Sequence, residues 1–586
     1  MKLTDAQCDA CAEIERHALV VACPGSGKTR TIIARLVRAI ERVRCTPRRI
    51  ACITYTNAAA SEIESRLRQL LSGEDSEYCE VGTIHAFCLR SVLRVYASKI
   101  PGYERDFQIA PPTSDEFVEC AEQAIADCGL GGSVRAQDFE QVRRGPKGQA
   151  FIPSSTALTE ECVAAFWEIM RTRLLVDFPS ITYLAYQVLR ENPHLARTVS
   201  ARFREIVIDE MQDTDSLQVA LLTVLADAGR SRFFMVGDPE QSIYSFAGAE
   251  PRRMFEFAQY LDARSDFELL ENWRSSAPIT RLADAIRPRT QPMRAVGEAS
   301  TETALPELVV ASSSIAAVTG AFLPALHRMN IEVGRAAVLA PAWYLLFPIA
   351  KELRRLGVPV SGPGSRPYQR RGRLMTGLLE NLCACMIECR PDLLRRVQFE
   401  LFDLIQQTEG KACFDVWQRA GRLAVAEMMF SGRALRASHP GAIAWIEAAS
   451  GRFAEIMEAR GLIGAVGAER MRQAGEEITA DIRSNRDVQP DQLTVDDLGT
   501  FANPDGSVKL LTFHAAKGRE FDAVCVVELQ EGQMPHPRGD LAESRRVLYV
   551  AVTRPHRFLM LASRLGATQC RFLRETAVRA TLNVRP

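Results

Sequence analysis

The sequence predicts an α/β protein of two parallel-sheet units, each interrupted by a mainly helical insertion. Three observations carry that prediction. Short apolar runs alternate with helical patterns over the first hundred residues, and the rhythm stops before resuming near residue 206. A second such pattern opens near residue 306, gives way to helix-like sequence, and returns at residue 509. The length, 586 residues, exceeds the roughly 250–300 residues that one hydrophobic core sustains.

In chain order, residues 18–23 read as a strand, 27–41 as a helix, 50–54 as a strand and 57–71 as a helix. This βαβα order implies parallel strands with helical crossovers. Strands resume at 206–209, 232–236 and 267–270. Between them lies a helical insertion with loop signals at Gly129-Leu130-Gly131-Gly132 and Gly145-Pro146-Lys147-Gly148. The second unit opens with strands at Glu307–Ala311 and 336–339. An Arg- and Gly-rich boundary follows at 366–373, and residues 374–490 carry no strand rhythm. Strands return at 509–513 and 523–528. The expected division is therefore 1–94 and 191–277 for the first unit, with 95–190 inserted. The second unit is 278–373 and 496–586, with a reduced insertion at 374–495.

Composition narrows the class. Hydrophobic residues at 47% and charged residues at 25% are ordinary for a globular chain. The N-terminus lacks the apolar core of a signal peptide, and no run approaches the ~18 apolar residues of a membrane span. A cytoplasmic location is expected, with most of the 16 cysteines reduced and packed. Cys8 and Cys11 form one CxxC, and Cys383, Cys385 and Cys389 a second group. Neither has the paired second half of a structural zinc site. Acidic and basic residues balance at 72 each, so a nucleic-acid surface must be a local groove. Arg48-Arg49, Arg143-Arg144 and Arg370-Arg371-Arg373 each read first as a solvated face.

The chemistry begins at Ala22-Cys23-Pro24-Gly25-Ser26-Gly27-Lys28-Thr29, with Arg30 next. It follows a strand and opens a helix, the context that makes a Gly-rich stretch a phosphate-binding loop. Backbone N–H groups and the helix N-terminus supply positive potential. Lys28 would neutralise phosphate oxygens, and Thr29 would hold Mg²⁺. Ile206-Val207-Ile208-Asp209-Glu210 is an apolar strand ending in two acids: Asp209 for the metal, Glu210 to deprotonate the attacking water. Val236-Gly237-Asp238-Pro239-Glu240-Gln241 again ends a strand in a polar turn, and the uncharged Gln241 can sense a terminal phosphate without like-charge repulsion.

Taken with further motifs in order, these residues make the chain resemble superfamily 1A DNA helicases of the UvrD/Rep/PcrA group. Leu3-Thr4-Asp5-Ala6-Gln7 resembles the Q motif, and residues 54–62 and 82–87 resemble motifs Ia and Ib. Asp209–Thr214 resembles the DExQD box, and Leu270-Glu271-Asn272-Trp273-Arg274-Ser275 resembles motif IV. Residues 512–521 and 543–554 resemble motifs V and VI. The resemblance implies two RecA-like P-loop domains with ATP bound between them, Mg²⁺ as cofactor, and 3′-to-5′ movement on single-stranded DNA. It implies that Gln7 reads adenine, Trp273 stacks on it and Glu520 holds the ribose. Arg274 and Arg554, carried by the second unit or its border, would act as arginine fingers. Tyr55, Tyr244 and Phe246 would stack bases. Asn57, Thr83, His85, Thr512 and His514 would also contact the DNA. Three positions depart from the pattern: Ala247 stands where an arginine is common, Phe246 where tryptophan is frequent, and Ala542 where an acid is common. At this compact size, with a reduced second insertion, the chain is also similar to helicase subunits of Gabija-type anti-phage systems, which implies as the alternative an ATP-hydrolysing, DNA-sensing subunit of a complex with an OLD-family nuclease.

Overall fold

The computed structural model describes residues 3–71, 73–104, 106–112, 114–153, 156–245, 248–362, 366, 368, 374–409, 414–484, 493–502, 505–537 and 539–585. The chain divides into two compact units. The first comprises Met1–Thr303 and Gly539–Thr553; the second comprises Ala304–Arg538 and Arg554–Pro586.

Six strands build the sheet of the first unit: β1 (Ala18–Ala22), β2 (Arg49–Thr54), β3 (Cys79–Thr83), β4 (Phe203–Ile208), β5 (Arg232–Gly237) and β6 (Arg264–Leu269). Their order is β6-β1-β5-β4-β2-β3, and every pairing is parallel. The central strands are near-continuous apolar runs because helices cover both faces. Apolar residues of β1, β2, β4 and β5 therefore divide between two buried clusters. The inserted segment carries its own small core, centred on Phe117, Phe139 and Phe166. It also holds a two-stranded antiparallel pair, Arg143–Arg144 with Ala150–Phe151.

The second sheet has seven parallel strands. They are β7 (Glu307–Ala311), β8 (Ala336–Ala340), β9 (Val360–Ser361), β10 (Val508–Thr512), β11 (Phe521–Val526), β12 (Pro555–Arg564) and β13 (Asn583–Arg585). The order is β9-β10-β8-β11-β12-β7-β13. Between β9 and β10 come helices from Thr376–Ile387 to Val495–Ala502. They enclose a separate core in which Trp445 is fully buried and donates its indole N–H to the Gly432 carbonyl at 3.0 Å. The fold class read from the sequence is the one observed.

Two arginines read as solvated are spent internally. Arg48 donates to the carbonyls of Ala201, Phe203 and Arg230 at 2.9, 3.1 and 2.6 Å. The Arg144 guanidinium lies 4.2 Å from the Trp167 ring and 4.0 Å from that of Tyr183, and donates to the Ser180 hydroxyl. The cluster at 370–373 lies outside the described residues. Cys11, Cys383 and Cys385 are buried free thiols, and Cys389 is exposed. No helix among the described residues is long and apolar enough to cross a membrane.

One buried ion pair ties the Lys28–Val43 helix to the sheet of the first unit. Arg35, on the Lys28–Val43 helix, forks onto Glu205 of β4, with one N–H···O bond of 3.0 Å. It also donates to the backbone carbonyls of Cys11 and Glu13. Both side chains are at most 5% exposed. Removing one member leaves an uncompensated buried charge, which costs about 3–5 kcal/mol, whereas replacing both by apolar residues of like volume is close to neutral. Arg35→Ala is therefore expected to lower urea-unfolding stability by about that amount, with the Arg35→Met/Glu205→Leu pair recovering most of it. An Arg35→Ala protein as stable as the parent would show that the pair contributes nothing.

Candidate nucleotide and nucleic-acid site

The site in the first unit is built at the carboxyl ends of adjacent parallel strands, where open α/β sheets bind ligands. β1 runs into the phosphate loop, β4 into Asp209-Glu210, β5 into Asp238–Gln241, and β6 into Asn272–Arg274.

The loop is held by its neighbours before any phosphate arrives. Gly25 and Gly27 sit at φ of 69° and 81°, conformations glycine adopts without strain. A Cβ at Gly25 would fall 2.5 Å from that of Arg274. Asn272, to which the motif at 270–275 assigns no role, is 1% exposed and clamps the loop. Its amide donates to the Pro24 carbonyl at 2.8 Å, while its side-chain oxygen accepts from the N–H of Arg274 and of Ser275. Trp273 N–H donates to the Gly25 carbonyl at 2.8 Å and leaves its ring 45% exposed. Gln7 is buried: Nε2 donates to the Ser26 carbonyl at 2.9 Å, and Oε1 accepts from Thr4 N–H, closing a capping box. Ala22, Cys23, Pro24 and Ser26 are buried, Thr29 is half-buried and Arg30 is exposed.

Lys28 Nζ lies 3.2 Å from Glu210 Oε2. Burial alone would lower the lysine, but Glu210, Asp238 and Asp209 hold it charged and its pKa above the ordinary range. Burial and the Glu210 carboxylate push Asp209 up. Glu210 is in the left-handed region at φ 52°, unusual for a residue with a Cβ and the kind of strain that clusters at functional sites. Gln212, fully buried, donates to Glu210 and accepts from the Asp238 N–H at 2.9 Å. Asp238 Oδ2 in turn accepts from Gln241 Nε2 at 2.6 Å. Lys28, Glu210, Gln212, Asp238 and Gln241 thus form one connected network. Asp209 and Glu210 together exceed the one lysine charge, and their oxygens with Thr29 suit a hard divalent cation.

The nucleic-acid candidates begin one residue beyond β2. Tyr55 and Tyr244 stack with ring centroids 4.9 Å apart at 17°. Asn57 is exposed at the start of the Asn57–Leu70 helix, and Thr83 caps the Ile84–Cys88 helix by accepting from the Ala86 N–H. His85 is pushed down to about 4 by burial and by Arg143, so it is neutral at pH 7. Phe178, 42% exposed, meets the His85 ring edge-on at 5.7 Å; no sequence motif marks it, because its partner is distant in the chain. Phe246 and Ala247 lie outside the described residues.

Four candidates belong to the second unit. Thr512 caps the turn after β10 by accepting from Ala515 N–H, and His514 is half-buried. Glu520 is exposed and pairs with His556, which also meets Asp522. Arg554 is 1% exposed and donates to the Arg519 carbonyl at 3.5 Å. Arg274, expected at the border of the second unit, lies in the first, where it donates to the Thr553 carbonyl at 3.2 Å.

Comparison with known proteins agrees with these motifs. The UvrD/REP helicase N-terminal domain matches residues 3–262, and the UvrD-like helicase C-terminal domain matches residues 479–565. The chain belongs to the UvrD/Rep helicase family. DNA helicase II of Escherichia coli K12 is 26% identical over 619 aligned positions, covering 95% of this chain and 84% of that protein. ATP-dependent DNA helicase PcrA of Staphylococcus epidermidis RP62A is 23% identical over 95% of the chain and 82% of its own length. ATP-dependent DNA helicase Rep of E. coli K12 is 28% identical over 49% of the chain and 43% of its own length.

Proposed function

We propose that this chain is an ATP-driven motor that moves 3′-to-5′ on single-stranded DNA and separates strands ahead of it. One observation carries the reading most. The phosphate chemistry and the stacking aromatics occupy the same strand ends: Asp209 N–H donates to the Ile53 carbonyl at 2.8 Å, two residues before Tyr55, and Tyr244 follows Gln241 by three. A change at the terminal phosphate is then two or three residues from a stacking ring.

The residues divide the work by their chemistry. Lys28, released from Glu210, meets the phosphate oxygens, and the backbone N–H groups from Gly25 to Thr29 cradle them. Glu210 takes the proton of the attacking water, and Gln241 donates to the terminal phosphate. Thr29 and Asp209 would hold Mg²⁺, which when bound neutralises charge on the phosphate oxygens. Arg274 and Arg554 stabilise charge developing in the transfer. Trp273, Gln7 and Glu520 are the candidates for adenine and ribose, with Glu520 set by His556. Tyr55, Tyr244 and Phe246 give a sequence-blind grip, since every base offers a π-face. Asn57, Thr83, His85, Thr512 and His514 are the remaining DNA candidates.

Tyr55→Ala is expected to weaken single-stranded DNA binding by about 1–3 kcal/mol, read by fluorescence anisotropy. Affinity unchanged in that variant would remove the stack from the binding surface. Polarity is tested by unwinding of duplexes carrying a 3′ or a 5′ single-stranded tail. Separation of only the 3′-tailed duplex supports the proposal; preference for the 5′ tail overturns the direction. Hydrolysis that appears only with a companion nuclease would favour the partner-dependent reading.

A further inference from the structure

Arg289 has no place in the chemistry above, yet it is among the most deeply paired cations of the first unit. It sits on the loop after the Ala277–Ile286 helix, just past Pro288, with its side chain 9% exposed. One terminal nitrogen lies 2.7 Å from Asp238 Oδ1 and 2.8 Å from the Tyr549 hydroxyl. Asp238 and Tyr549 are both fully buried. Burial would pull the guanidinium down, but Asp238 and Tyr549 hold it charged.

This pair is not insulated. The other oxygen of Asp238 is the acceptor for Gln241 Nε2. Tyr549 lies on the Leu541–Val552 helix, which belongs to the same unit. That helix is tied to the phosphate-sensing loops at two further points: Arg546 donates to the Ser242 carbonyl at 2.7 Å, and Arg274 to the carbonyl of Thr553 at its C-terminal end. The next residue is Arg554. A hydrogen-bonded line therefore runs from Lys28 through Glu210, Gln212 and Asp238 to Arg289, Tyr549 and the helix that leads into Arg554.

We propose that Arg289 is a positioning residue that transmits the state of Gln241, through Asp238 and Tyr549, to the Leu541–Val552 helix. The inference rests on the reading that Gln241 meets the terminal phosphate. Turning Gln241 toward a phosphate withdraws a donor from Asp238. The remaining charge of that carboxylate then falls on Arg289, which Tyr549 shares, and the helix is held more tightly. Loss of the phosphate reverses the exchange. A buried carboxylate that accepts from a sensor on one oxygen, and on the other from an arginine bonded to a helix tyrosine, is a physical link, and a coupling measurement makes it a functional one.

The test is hydrogen exchange with and without Mg²⁺ and a non-hydrolysable ATP analogue. In wild type, the nucleotide slows exchange at both Lys28–Val43 and Leu541–Val552. In Arg289→Gln, slowing persists at Lys28–Val43 and is lost at Leu541–Val552, with Arg289→Lys intermediate. DNA-stimulated kcat falls tenfold or more in Arg289→Gln while KM for ATP stays within about threefold. Tyr549→Phe, which keeps the packing, lowers kcat in the same direction, and the double variant is no worse than Arg289→Gln alone. Slowing of both segments in Arg289→Gln and Tyr549→Phe, or additive losses in the double variant, overturns the coupling and leaves the ATP reading intact. No response at Lys28–Val43 in wild type overturns the ATP reading, and the coupling with it.

Discussion

Arg554→Ala is expected to lower DNA-stimulated ATP hydrolysis by about 10³-fold or more, the range seen when a phosphoryl-transfer enzyme loses its arginine finger. Arg554 is 1% exposed, and its guanidinium rests on a backbone carbonyl. Its chain position, directly after the Leu541–Val552 helix, puts it at the passage from one unit to the other. The loss should fall on kcat, because the charge it stabilises develops only in transfer. Arg554→Lys keeps the charge without the planar fork and should recover only part of the rate. Steady-state kinetics with saturating single-stranded DNA decide it. A rate within tenfold of wild type, in a protein that still binds nucleotide, would remove Arg554 from the chemistry.

Glu210→Gln is expected to cut kcat by about 10²–10⁴-fold, the usual contribution of a positioned general base, and to bind ATP at least as tightly as wild type. The second half follows from the ion pair. Lys28 lies 3.2 Å from Glu210 Oε2, so the phosphates of ATP and that carboxylate compete for the lysine. Neutralising Glu210 removes the competitor and a repelling charge beside Asp209. Glutamine also preserves the shape and can keep the contact with Gln212. Single-turnover hydrolysis and nucleotide titration separate the two effects. Unchanged kcat would move the base elsewhere; weaker ATP binding would contradict the account of the ion pair.

What the sequence made legible was local. The phosphate loop, the paired acids after β4 and the polar turn after β5 are each contiguous, and each follows an apolar run that periodicity detects. Strand boundaries fell within one to three residues of those observed at β1, β2, β4, β5 and β6. β3 escaped because Cys79–Thr83 contains an acid and a glycine and only Val81 is buried. β12 escaped because it opens Pro-His-Arg before its apolar stretch. Roles that depend on distant partners were not legible. Asn272 clamps a loop 248 residues away, and Arg289 meets Tyr549 across 260. Nor could spacing show that Arg48 and Arg144 serve the fold, since a basic pair reads the same in solvent as over a carbonyl or a ring.

The most direct test of the central claim is steady-state ATP hydrolysis with and without single-stranded DNA, run beside Lys28→Ala. The account predicts strong stimulation by DNA in wild type and its disappearance in the variant. Hydrolysis that ignores DNA, or that survives Lys28→Ala, would contradict a DNA motor driven from this phosphate loop.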